Sequence, residues 1–202
     1  MSKKTTFYFL FFGILVIGFY FIMSYLIPDF AKSKLEPIGR VLPFSFTNQD
    51  GKTFTENDVA GKVFVTEYFF TTCPSICPRM NTNMKKVYEQ YKHDDNFLIL
   101  SHTCDPETDS AQRLKRYADS LGADTKKWVF LTGRKDSLYY QARNSYKIDD
   151  PNNNVTNIED DFLHSQFFAL VDKKGRVKKI YDGIKQSEVD ELIIDIKQLL
   201  KE

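Results

Sequence analysis

Residues 7–27, FYFLFFGILVIGFYFIMSYLI, form an unbroken apolar run without a single charge. About 20 such residues span the hydrocarbon core of a bilayer as a helix. A lone segment satisfies its backbone polar groups there only in that form. The run therefore predicts a transmembrane anchor and divides the chain. Residues 1–6 become a cytoplasmic N-terminus, 7–27 the anchor, 28–42 a tether and 43–202 one globular domain. Lys3 and Lys4 ahead of the run favour a cytoplasmic N-terminus, while Lys32, Lys34 and Arg40 behind it blunt the charge asymmetry. A cleaved signal peptide would have an apolar stretch of only about 7–15 residues, ending in small residues. This run ends in YLIPDF. The expectation is an uncleaved single-pass anchor, with lipid as a partner and the domain on the periplasmic or extracytoplasmic side.

The remaining residues suffice for one domain with its own core. A net charge of +1 gives no basis for a nucleic-acid surface. Three cysteines are too few for a disulfide scaffold, and outside the cytoplasm an odd count leaves at least one thiol unpaired or otherwise used.

Along the domain, FSFTNQDGKTFT (44–55) alternates around Asp50-Gly51 and predicts a β-hairpin. KVFVTEYFF (62–70), NFLILSHT (96–103) and KKWVFLTG (126–133) predict buried strands. Helices are expected from Met80 to Tyr91, over 107–123 and over 135–146. DPNNNVTNIEDD (150–161) reads as a polar loop. FLHSQFFALVD (162–172) and RVKKIYDG (176–183) read as a strand pair, and 187–201 as an amphipathic closing helix. Alternation of strands and helices implies right-handed crossovers and a largely parallel central sheet. With the terminal hairpin and helix, the fold class is α/β, thioredoxin-like, behind one transmembrane helix.

TTCPSICPRM (71–80) lies where the first long strand gives way to a helix. A helix N-terminus lowers thiol pKa through its dipole and free N–H groups. Pro74 and Pro78 suit positions where an N–H has no partner anyway. If the helix begins near Ile76, Cys73 sits just above Cys77. The two sulfurs then form either a disulfide or a clamp for a soft or borderline ion such as Cu(I) or zinc. A purely bracing disulfide is the weaker alternative, since so small a loop constrains little chain entropy.

Of the three histidines, His93 in YKHDDN reads as a solvated residue and His102 in LSHTCD lies late in a strand of uncertain facing. His164 in DFLHSQ follows the acidic loop, which can carry it over the cysteines. Cys104 reads either as a small buried hydrophobe or as a third thiol beside the pair.

TTCPSICP (71–78), DPETDS (105–110) leading into LKRYA (114–118), WVFLTG (128–133) and DFLHS (161–165) together resemble the Sco/SenC family of membrane-anchored, thioredoxin-like copper proteins, over roughly 40–201. The resemblance implies that Cys73, Cys77 and His164 bind copper, as Cu(I) or Cu(II), with Asp105 supporting the copper or redox state. It implies delivery to the binuclear copper centre in the copper-bearing subunit of cytochrome c oxidase, after receipt from a copper donor protein. Two thiolates and one imidazole suit Cu(I) and leave an open side for transfer. The chain departs from the family pattern at Phe69, where glycine is usual, and at His102 and Cys104, where aliphatic residues are usual. The alternative function is a thiol–disulfide oxidoreductase that uses Cys73 and Cys77 to reduce the oxidase cysteines before metallation. A thiol peroxidase is less well served, because Arg79 is the one activating cation in the motif.

Overall fold

A computed structural model describes residues 2–26, 35–150, 158, 161–163 and 165–202. The chain divides into two compact units, 1–35 and 36–202. In the first, helix α1 (Lys3–Leu26) contains residues 7–26 of the apolar run, and by length and composition it is able to cross a membrane. At about 1.5 Å per residue it is long enough for the hydrocarbon core.

The second unit is built on one eight-stranded sheet. Its strands are β1 (Gly39–Arg40), β2 (Ser45–Asn48), β3 (Thr53–Thr55), β4 (Val63–Phe69), β5 (Phe97–Thr103), β6 (Trp128–Thr132), β7 (Phe167–Val171) and β8 (Arg176–Asp182). They lie in the order β1-β8-β7-β4-β5-β6-β2-β3. β4, β5 and β6 are mutually parallel, and the other pairings are antiparallel. Every residue of β4, β5 and β6 is buried. This is the continuous apolar pattern of strands covered on both faces. The helices are α2 (Ile76–Tyr91), α3 (Ala111–Leu121), α4 (Lys135–Tyr140), which continues into a π-helical turn at Gln141–Tyr146, and α5 (Gln186–Lys201). Helix α2 buries Met80, Met84, Val87 and Tyr91, the face expected from their spacing. Ser110 caps α3 by accepting from Arg113 N–H, and Gly122 closes it in the left-handed region at φ 67°.

Four expectations are corrected. Residues 39–40, placed in the tether, are strand β1, which pairs Gly39 with Val177 and Arg40 with Arg176 at the sheet edge. The helix expected over 107–123 begins only at Ala111, because 105–110 fold into a turn. The helix expected over 135–146 changes to π-helical form at Gln141. The strand expected over 162–172 begins only at Phe167. Ahead of it, the described residues 161–163 and 165 do not join the ladder: Asp161 is held by the Arg143 side chain, Leu163 by the Tyr139 hydroxyl and Ser165 by the Ile148 carbonyl. Most of the loop expected over 150–161, and the calls for residues 27–34 of the anchor end and tether, lie outside the described residues.

Candidate metal and thiol site

The site begins at the C-terminal end of β4. The chain leaves the sheet at Phe70, turns through 71–75 and enters α2 at Ile76. This turn is tied down from β5 and α3. Asp109, fully buried, accepts from Thr71 N–H (3.0 Å), from the Thr71 hydroxyl (2.5 Å) and from the Thr103 hydroxyl (2.7 Å). Arg113 Nε donates to the same Thr71 hydroxyl at 2.6 Å. A buried carboxylate with three donors is well compensated, and it fixes the backbone two residues before Cys73.

Cys77 falls in the first turn of α2, and its backbone N–H donates to Cys73 Sγ at 3.4 Å. None of the three cysteines is in a disulfide. The two thiols of the pair are unequal. Partial burial works against the Cys73 thiolate, but the Cys77 thiol and the N–H groups of Ser75, Ile76 and Cys77 outweigh it and hold Cys73 below the usual thiol range. Cys77 is pushed up to about 12, first by burial and then by the hydrogen bond and charge of Cys73, with the charge of Glu67 adding to it. The outer thiol is thus the more readily ionised of the two, and the inner one holds its proton more tightly.

Cys73, Cys77 and Cys104 all line one cavity of about 200 Å³. Its walls are otherwise mostly apolar, including Tyr68, Phe70 and Ile76. A larger hollow of about 500 Å³ beside Pro43, Phe46 and Tyr140 contains no thiol or histidine. Cys104 is buried, and its thiol donates to the Phe69 carbonyl at 3.1 Å. Burial, followed by the charge of Cys77, raises its pKa well above the thiol range. Both readings of this residue therefore meet in one place: it is a buried small side chain, and it faces the same cavity as the pair.

Leu163 and Ser165 also line this cavity. The Tyr139 hydroxyl donates to the Cys104 carbonyl (2.8 Å) and accepts from Leu163 N–H (3.2 Å). The Ser165 hydroxyl donates to the Ile148 carbonyl at 3.3 Å. Arg143, in the π-helical turn, forms a fork on Asp161 at 2.6 and 3.0 Å and also donates to Asp149 at 2.7 Å. His164 lies outside the described residues. Among the described residues, no three His, Cys, Asp or Glu side chains are grouped as a metal site.

The other candidates fall elsewhere. Asp105 follows Cys104 directly, but its carboxylate accepts from Thr108 N–H (3.3 Å) within the turn. Its neighbour in the same motif, Asp109, holds the cysteine loop. His93 is exposed. His102 is fully buried, stacked on Tyr68 at 4.9 Å, with Nδ1 3.1 Å from the Thr66 hydroxyl. Burial takes its pKa down to about 3, so the ring is neutral. Arg79 lies at the start of α2 with its side chain exposed.

Two contributors were missed in the sequence. Asp109 stood in the quoted D-P-x-x-D motif but was not singled out. Glu67 was passed over as part of an apolar strand, where a lone carboxyl was itself the signal. It is fully buried, accepts from the Ser101 hydroxyl at 2.6 Å and leaves Oε2 without a hydrogen-bond partner among the described residues. Burial raises its pKa to about 7.

A model of the SCO1/SenC family matches residues 34–201. The SCO1 protein homolog of Bacillus subtilis is 34% identical over 161 residues, covering 78% of this chain and 81% of the relative. The structure of BsSco is 31% identical, covering 82% of this chain and 96% of that one with a TM-score of 0.68. BsSco is described as a member of the Sco family of cytochrome c oxidase assembly proteins, and a disulfide switch was identified in it. Arabidopsis thaliana ScoI, solved with copper bound, is 26% identical, covering 81% of this chain and 98% of that one with a TM-score of 0.62. These likenesses establish the mixed α/β, thioredoxin-like architecture expected from the sequence.

Proposed function

The chain belongs to the SCO1/SenC family, and on that premise we propose that it is a membrane-anchored copper metallochaperone for cytochrome c oxidase. The observation that carries this reading is the meeting of Cys73 and Cys77 in one largely apolar cavity that is also lined by Leu163 and Ser165, the sequence neighbours of His164. Copper is the cargo. Cys73 and Cys77 supply two thiolates, a donor pair that selects a soft ion such as Cu(I) over magnesium or calcium. His164 supplies a neutral imidazole as the third ligand. Three ligands leave one side open, which suits an ion that must move on, whereas four would suit a resident one. Asp105 has a supporting part through its turn, which also carries Asp109. Helix α1 holds the domain on the extracytoplasmic face of the membrane. A copper donor protein loads the site, and the copper-bearing subunit of the oxidase receives the ion at its binuclear centre.

The test is a transfer assay. The full chain in detergent is loaded with Cu(I) and mixed with the copper-free soluble domain of the oxidase subunit. The two are then separated and analysed for copper. Copper on the acceptor, lost with Cys73→Ser, is the expected result. Copper retained on the anchored chain at equilibrium contradicts the proposal.

The unequal thiols favour a second reading, a dithiol reductant for the same acceptor. The Cys73 thiolate attacks an acceptor disulfide and forms a mixed disulfide. Cys77, giving up its proton, then displaces the acceptor thiol and closes the Cys73–Cys77 bond, so two electrons pass to the acceptor. Activity that survives His164→Ala separates this reading from copper delivery.

A further inference from the structure

We infer that Arg143, seated on Tyr139, is the positioning residue for the histidine-bearing wall of the copper cavity, an inference that rests on the reading of His164 as a ligand. One guanidinium grips both ends of the 150–160 stretch: Asp149 before it, at 2.7 Å, and Asp161 after it, through a two-pronged contact at 2.6 and 3.0 Å. Arg143 and Asp161 are each only 6% exposed. A planar fork on a carboxylate in such a setting is both strong and directional, and an ammonium group cannot reproduce it.

The grip is coupled to the cysteines through the same helix. Arg143 lies four residues beyond Tyr139, its guanidinium carbon 5.5 Å from the centre of the tyrosine ring. The Tyr139 hydroxyl joins the Cys104 carbonyl at the end of β5 to Leu163 N–H. Asp161, Leu163 and Ser165 are thus held at three points within five residues by Arg143, Tyr139 and the Ile148 carbonyl, and Tyr139 ties this support to Cys104, which lines the same cavity as Cys73 and Cys77. Arg143 belongs to the π-helical turn, a form that is uncommon and recurs at functional sites. Ordering a segment before the ion arrives removes an entropy cost from binding, so loss of the fork lowers copper affinity without any change of ligand.

The experiment compares wild type, Arg143→Lys, Asp161→Asn and His164→Ala as full chains in detergent. Cu(I) affinity is measured by competition with a chromophoric chelator. Nitrogen coupling in the Cu(II) electron paramagnetic resonance spectrum and thermal unfolding are recorded in parallel. His164→Ala is expected to lower affinity at least a hundredfold. Arg143→Lys and Asp161→Asn are expected to lower it about tenfold, to weaken the nitrogen coupling and to keep the thiolate-to-copper absorption. In the His164→Ala background either change should alter affinity by less than threefold. Wild-type affinity and nitrogen coupling in both Arg143→Lys and Asp161→Asn, with His164→Ala impaired, overturns the inference and leaves the ligand reading standing. Full affinity in His164→Ala overturns both. A tenfold loss that persists in the His164→Ala background marks a general structural effect and also overturns the inference.

Discussion

The two walls of the cavity are held by different means. On one side, Cys73 and Cys77 lie four residues apart at a helix start, and the helix itself supplies the N–H group that meets Cys73 Sγ. That geometry is mostly local, with Asp109 reaching in from the next crossover to fix Thr71. On the other side, the described residues 161–163 and 165 belong to no helix or strand, and Asp161, Leu163 and Ser165 bond to Arg143, Tyr139 and Ile148. The difference teaches that the redox pair is a property of its own strand–helix junction. The placement of the segment on either side of the proposed third ligand is instead a property of the whole domain. Thiol exchange should therefore tolerate damage on the far wall that copper binding does not.

The sharpest way to break the comparison is Cys73→Ser or Cys77→Ser. Each should abolish Cu(I) binding, at least a thousandfold in a chelator competition, and also end dithiol chemistry. His164→Ala comes next. It should weaken copper by about a hundredfold yet leave the Cys73–Cys77 reduction potential, measured in glutathione or dithiothreitol buffers, within the scatter of wild type. A shifted potential would show that the walls are not separable.

Asp109→Ala tests the long-range support of the cysteine wall. It strips partners from Thr71 N–H and two hydroxyls. Each buried donor left unpaired costs about 1–3 kcal/mol, and we expect about 3 kcal/mol of lost stability in urea unfolding. An unchanged midpoint would mean that the loop stands on its own.

Glu67→Gln has the smallest effect, and its sign depends on pH. The folded carboxyl has its pKa raised from 4.5 to about 7. The protonated form suits the fold, so this stability is present below about pH 4.5 and is lost as pH rises through about 7. The shift sets a ceiling of about 3 kcal/mol. The amide should gain about 2 kcal/mol at pH 8 and nothing at pH 4. Equal gains at both pH values would remove the carboxyl as the cause. His102 acts in the opposite direction in wild type. Its pKa is depressed to about 3, so its contribution is present above about pH 6.5 and lost on acidification.

The architecture was largely legible because its signals are periodic or punctuated. β4, β5 and β6 announced themselves as apolar β-branched and aromatic runs, and α2 by the spacing of Met80, Met84 and Val87. The helix expected from Met80 begins one turn earlier, at Ile76, a start the cysteine spacing raised only as a condition. Three features were not legible, each for a physical reason. Gly39 and Arg40 pair at an edge through their backbones, which composition does not record. Leu163 and Ser165 lie in a stretch that reads as strand, but they bond to the Tyr139 hydroxyl and the Ile148 carbonyl, both far away in sequence. The π-helical turn differs from an α-helix by one hydrogen-bond step, and the helical spacing over 135–146 does not distinguish the two. Asp109 shows how motif reading places the emphasis: the second aspartate of DPETD carries the buried hydrogen bonds, while Asp105 caps a turn.

The most direct test of the copper reading is X-ray absorption at the copper edge of the Cu(I)-loaded full chain, beside His164→Ala. The expected first shell is two sulfurs and one nitrogen, with the nitrogen contribution absent in the variant. A wild-type shell of sulfur alone, or one unchanged by His164→Ala, would contradict it.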